Sequence, residues 1–326
     1  MSESGDFSPG YWAGHDFSSA RKSYDPHAGR SYADAKAVGK KTKDLVPQSI
    51  STESDKPLTI LCDVTGSMSE WPGVIFSKLP YLELEGQEYL GKNMEICFGA
   101  VGDAYCDTYP LQMRPFTKGL ELKDRLKELV IEKGGGGTKQ ESYELAAYYC
   151  LHNVQMPKAI IKPPLLFIGD EAPYDFINEE HVRNHSYGTL QSKLSTAALF
   201  KALMEKFSVY LIRKPYNKTS NNVMSAEDKK IYKAWCDLIG MDRIADLPEA
   251  SRVVDVIFGI LARETSRVAY FREELEGRQK PEQVKVVYKS LATVHVVSGG
   301  EAKLALPPGK SRLHRPEDGP ATKPLL

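Results

Sequence analysis

Short apolar runs alternate with longer amphipathic stretches through the middle of the chain, and no other feature limits the fold as much. Apolar runs occupy residues 58–64, 94–101, 165–169 and 207–213, with shorter ones at 111–116 and 243–246. Each has strand length and is rich in Ile, Leu, Val or Phe, as strands buried on both faces require. Between them, residues 120–132 place Leu120, Leu122, Leu126, Leu129 and Val130 on one helical face. Helical patterns also cover 71–84 with an interruption at Pro80, 141–153, 190–206, 226–239 and 248–275. This alternation predicts an α/β fold, a doubly wound and mostly parallel central sheet with helices on both faces. Right-handed crossovers then bring the strand-to-helix loops to one sheet edge, where a ligand site is expected.

The ends read differently. Residues 1–55 are rich in Ser, Gly, Asp and Lys, with Tyr11, Trp12, Tyr24 and Tyr32 scattered among them. They are expected to form a largely disordered N-terminal arm, with aromatics available to dock on the domain or a partner. The folded domain is placed at 56–280 and a C-terminal extension packed on or near it at 281–306. Within the extension, Pro281-Glu-Gln-Val-Lys-Val-Val fits a helix and Ala292-Thr-Val-His-Val-Val leans to a strand. Residues 307–326 are proline-rich and read as a flexible tail. The 43 Lys and Arg balance the 43 Asp and Glu. That balance disfavours a global grip on nucleic acid or anionic lipid. Five cysteines without CxxC spacing argue against a disulfide framework or zinc knuckle. No apolar run approaches the roughly 20 residues of a membrane span. A polar start lacks the apolar core of a signal peptide, so a cytoplasmic location is expected.

The predicted sheet edge carries the chemistry. The first strand ends in Asp63-Val64-Thr65-Gly66-Ser67-Met68-Ser69, where four of seven side chains carry oxygen and none nitrogen. A carboxylate with hydroxyls suits a hard divalent cation such as Mg²⁺ or Mn²⁺. Two further oxygen donors fall where the fold delivers them. Thr138 follows the run Gly134-Gly135-Gly136-Gly137, and Asp170 follows the strand at 165–169.

The set Asp63-x-Thr65-x-Ser67, Thr138 and Asp170 resembles the metal-ion-dependent adhesion site of the von Willebrand factor type A domain, over about residues 56 to 275. More narrowly, Phe98-Gly-Ala-Val-Gly-Asp103, Pro110-Leu-Gln, the glycine run, Glu141-Ser-Tyr-Glu144-Leu and Gly169-Asp-Glu-Ala-Pro resemble an intracellular microbial and viral group of such domains. The resemblance implies that the hydroxyls of Thr65 and Ser67 bind the metal directly. Asp63 and Asp170 then act through water, and Thr138 ligates in one of two conformations. The open position takes an Asp or Glu from a partner protein. Thr65 stands where many members have Ser, which keeps the hydroxyl. The implied role is an intracellular adaptor or scaffold without enzymatic activity, and related domains work beside AAA+ ATPases.

Other readings compete residue by residue. Asp63 and Ser67 are also suited to capping a turn and a helix. Asp103 and Asp107 suit turns or acceptance of metal-bound water. Glu141 fits the first turn of a helix, Glu171 the mouth of the site, and Cys62 the core. His181 and His185 share a helical face but lack the HExxH order of a zinc protease. The rival class is a haloacid-dehalogenase-like phosphohydrolase, with Asp63 as the phosphorylated nucleophile. Thr65 stands where that class has its second Asp, no phosphate-binding Lys is evident, and the glycine run with Thr138 goes unexplained.

Overall fold

A computed structural model describes residues 6–7, 10–28, 39–132, 139–215 and 224–296. Six strands form the central sheet: β1 (Leu58–Asp63), β2 (Ile96–Val101), β3 (Leu111–Met113), β4 (Pro164–Gly169), β5 (Ser208–Arg213) and β6 (Ile244–Asp246). Their spatial order is β6-β5-β4-β1-β2-β3. All neighbours run parallel except β2 and β3, which are antiparallel. In register, Cys62 lies between Ala100 on β2 and Ile168 on β4. The protein is therefore α/β, with a mixed sheet flanked by helices. Every residue of β1, β2, β4 and β5 is buried, which accounts for their unbroken apolar character.

The flanking helices are α1 (Phe17–Ala28), α2 (Trp71–Ser77), α3 (Leu79–Leu90), α4 (Glu121–Lys127), α5 (Tyr143–Asn153), α6 (Glu179–His185), α7 (Thr196–Lys206), α8 (Ala226–Ile239), α9 (Val253–Glu264), α10 (Val268–Arg278) and α11 (Pro281–Ser290). Strand side chains alternate between two apolar cores. Ile60, Cys62, Phe98 and Ile168 join Trp71, Leu82, Ile257 and Leu261 in one. Leu61, Cys97, Phe167 and Leu211 join Tyr143, Phe200 and Trp235 in the other.

Several sequence expectations change here. The interrupted helix at 71–84 is two helices meeting at Lys78, with Pro80 in the first turn of α3, where a missing N–H costs nothing. The single helix expected at 248–275 is broken between α9 and α10 by Ser266, whose φ of 56° is left-handed. There Thr265 N–H bonds the Leu261 carbonyl (3.0 Å) and Arg267 N–H that of Ala262 (2.8 Å), closing α9. The reversal brings Arg278 back to Asp255, 2.8 Å away. The strand expected at 292–297 does not form through Val296, the last described residue. Thr293 Oγ1 instead donates to the Ile244 carbonyl (2.7 Å), and His295 N–H to that of Asp242 (2.9 Å), pinning an irregular segment beside β6.

The aromatics of the N-terminal region dock on the domain. Trp12, Phe17 and Tyr24 are buried. Phe17 packs on Tyr81 and Tyr24 on Phe76. Trp12 Nε1 donates to Glu83 Oε2 (2.6 Å), and Glu83 Oε1 accepts from Gly119 N–H (2.5 Å). Tyr11 is exposed, while Tyr32 and the tail at 307–326 lie outside the described residues. Among the described residues, no helix is long and apolar enough to cross a membrane.

Candidate metal centre

Strand order reverses between β1 and β4: successive strands move away on one side through β2 and β3, and on the other through β5 and β6. The crevice at the carboxyl ends of two such strands is where open α/β sheets take ligands. Asp63 is the last residue of β1, and Asp170 immediately follows β4. Both are buried, with 0% and 1% of their surface exposed.

The loop after β1 folds back on these carboxylates. Asp63 Oδ1 accepts from Thr65 N–H (2.8 Å) and Thr65 Oγ1 (2.7 Å). Residues Gly66–Met68 make one 3-10 turn, which carries Ser67 to the other strand end. Ser67 Oγ donates to Asp170 Oδ2 at 2.5 Å. Asp63 Oδ2 accepts from Tyr143 OH (3.2 Å), which enters from the start of α5. Lys214, just past β5, donates Nζ to the Ser67 carbonyl (2.6 Å) and lies 3.8 Å from Asp170 Oδ2. Asp170 Oδ1 is buried without a hydrogen-bond partner among the described residues.

Burial sets the electrostatics. It pushes Asp63 up to about 8, with Asp170 adding to the rise and the Thr65 hydrogen bonds opposing it. Burial also raises Asp170, against the pull of Ser67 and Lys214. Burial and then Asp170 push Glu171 up to about 7. Glu141 goes furthest, to about 12, from burial followed by the charge of Asp63. Concentrated, poorly compensated negative charge is a place a cation is drawn to. The donors are all oxygen, and one buried carboxylate oxygen has no partner among the described residues, so this set fits a hard divalent ion. No group of three or more His, Cys, Asp or Glu side chains converges in metal-binding geometry among the described residues.

Of the five residues singled out in the sequence, Asp63, Thr65, Ser67 and Asp170 come together. Thr138 and the glycine run lie outside the described residues. Asp103 and Asp107 form a turn: Asp107 Oδ2 accepts from Asp103 N–H (2.7 Å), and Asp103 Oδ1 from Tyr105 N–H (3.0 Å). Tyr174 OH also bonds Asp103, at 3.1 Å. Glu141 precedes the helix and lies in a two-residue ladder beside the Asp170 loop. His181 meets Tyr105 edge to face, with ring centroids 4.5 Å apart, and burial lowers the basicity of both His181 and His185. Sequence reading missed Tyr143 and Lys214. The available signal was position, since Lys214 follows a strand end on the same edge and Tyr143 opens the helix after the glycine run.

No family model and no curated protein matches this chain. Two structures of the pilus adhesin SpaC from Lactobacillus rhamnosus GG, one in an open conformation, are similar at 14% identity, with TM-scores of 0.43 and 0.42. The match covers 66% of this chain, which spans only 30% of the adhesin's length. Similarity at that level carries no weight for activity or partner.

Proposed function

We propose that this protein is a metal-dependent protein-binding module of the von Willebrand factor type A kind, built on a doubly wound sheet. Mg²⁺ or Mn²⁺ would be held by Asp63, Thr65, Ser67, Thr138 and Asp170. The observation that carries the reading is the pair of hydroxyl–carboxylate hydrogen bonds, Thr65 to Asp63 and Ser67 to Asp170, at the reversal of strand order. Ser67 is exposed, which leaves the mouth accessible to a partner's Asp or Glu. A cation with few anionic ligands stays electrophilic toward such a carboxylate. The role follows as an adaptor or scaffold in the cytoplasm, with an AAA+ ATPase complex as a candidate partner.

The burial of Asp63 favours this reading over the phosphohydrolase. A nucleophilic carboxylate needs an oxygen open to phosphorus, whereas Thr65 and Tyr143 engage both oxygens of Asp63. The test is calorimetric titration of Mg²⁺ and Mn²⁺ into metal-free wild type, Asp63→Ala and Ser67→Ala, with circular dichroism as a fold check. One bound ion, lost in folded variants, is expected. No binding at millimolar metal overturns the reading. So does steady phosphoester hydrolysis that disappears in Asp63→Asn.

A further inference from the structure

Glu141 is 2% exposed, and its Oε2 is buried with no hydrogen-bond partner among the described residues. Its backbone is fixed from two directions. Gln140 and Glu141 pair in parallel with Ala172 and Pro173, so the residue lies beside the loop that begins at Asp170. Ser142 N–H donates to the Gly102 carbonyl (3.0 Å), and Ser142 Oγ accepts from Ala104 N–H (3.0 Å), tying the same segment to the loop after β2. Two residues on, Tyr143 reaches Asp63. The chain thus holds the Glu141 carboxyl between the strand-end loops through its neighbours, while its Oε2 has no partner among the described residues. A buried acceptor without a donor costs about 1–3 kcal/mol, so its retention calls for a donor beyond the described residues.

We infer that Glu141 is a positioning residue of the metal centre, accepting a hydrogen bond from a water bound to the cation. The inference rests on the proposed metal centre, to which it adds a residue outside the adhesion-site set. Water mediation is the form proposed because a buried carboxyl oxygen with no donor among the described residues calls for an O–H donor, which a cation-bound water supplies. An acceptor of this kind fixes the orientation of the bound water and strengthens the hold on the ion, and its loss weakens affinity by about 10–100-fold.

The experiment titrates Mg²⁺ and Mn²⁺ into wild type, Asp63→Ala, Glu141→Gln and Glu141→Ala, and records the thermal midpoint of each without metal. Wild type is expected to bind one ion and Asp63→Ala none. Glu141→Gln should still bind one ion, about 10–100-fold more weakly, with a metal-free midpoint no lower than wild type. Glu141→Ala supplies the same comparison should the Gln variant not fold. Wild-type affinity in a folded Glu141 variant overturns the inference while leaving the metal centre standing. A lowered metal-free midpoint with unchanged affinity also overturns it, as a structural role. Absence of metal binding by wild type overturns both.

Discussion

Glu144 offers a prediction whose sign is opposite to ordinary acid denaturation. Its side chain is buried in the first turn of α5, and its Oε2 accepts from Tyr174 N–H at 3.2 Å. That bond anchors the loop that starts at Asp170. Burial pushes the Glu144 carboxyl up to about 8, against the pull of backbone hydrogen bonds. Its unfolded value is about 4.3. The folded chain therefore prefers the protonated form. The stability contribution is complete below the unfolded value and is lost as pH rises through the folded one. Between the two, the loss is about 1.4 kcal/mol per pH unit. From about pH 5 to about pH 7.5 it amounts to roughly 3 kcal/mol. Glu144→Gln is a neutral stand-in at every pH. In urea unfolding with a chelator present, its stability relative to wild type should rise by that amount across this range. Parallel pH profiles for the two proteins would show that Glu144 does not titrate as argued.

Two further substitutions probe the frame around the site. A Cβ at Gly169 would lie 1.8 Å from Tyr143 OH; Gly169→Ala should therefore cost about 1–3 kcal/mol by overpacking, read as a lowered thermal midpoint, and an unchanged midpoint would mean that Tyr143 is free to move. Asp255 is buried and accepts from Arg252 (3.2 Å), Arg278 (2.8 Å) and Gln279 (3.0 Å). Burial raises this carboxyl, but Arg278, Lys78 and Arg252 outweigh it and hold it below its ordinary value. Its contribution is present above the unfolded value of about 3.9 and lost as pH falls through the lower folded one. Asp255→Asn should cost about 3–5 kcal/mol at neutral pH, and a loss below about 1 kcal/mol in chemical unfolding would place the pair among weak surface bridges.

Elements with strong periodicity were legible in the sequence. The strands near 58, 96, 165 and 208 emerge within two residues of expectation because their burial demands continuous apolar runs. The α9–α10 break was not legible: residues 265–267 contain neither Gly nor Pro, and the turn is fixed by tertiary contacts around Asp255. That Asp63, Thr65, Ser67 and Asp170 come together could be read because strand ends of one parallel sheet meet at one edge. Glu141 read as a helix-start residue because pairing with Pro173 is invisible along the chain. Tyr143 was hidden for a related reason, since an apolar helix gives no sign of which hydroxyl reaches across the sheet.

The docked N-terminal aromatics bear on where the smallest independent unit begins. Sequence patterning puts the domain edge at 56, yet the rings of Phe17 and Tyr24 sit against Tyr81 and Phe76. A fragment started at 56 would leave the rings of Tyr81 and Phe76 facing water and deprive Glu83 of the Trp12 indole. It would keep the strand ends of the proposed metal centre and gain a sticky flank on the face built from α2 and α3. Self-association of such a fragment would then report on its missing cover rather than on the proposed partner site.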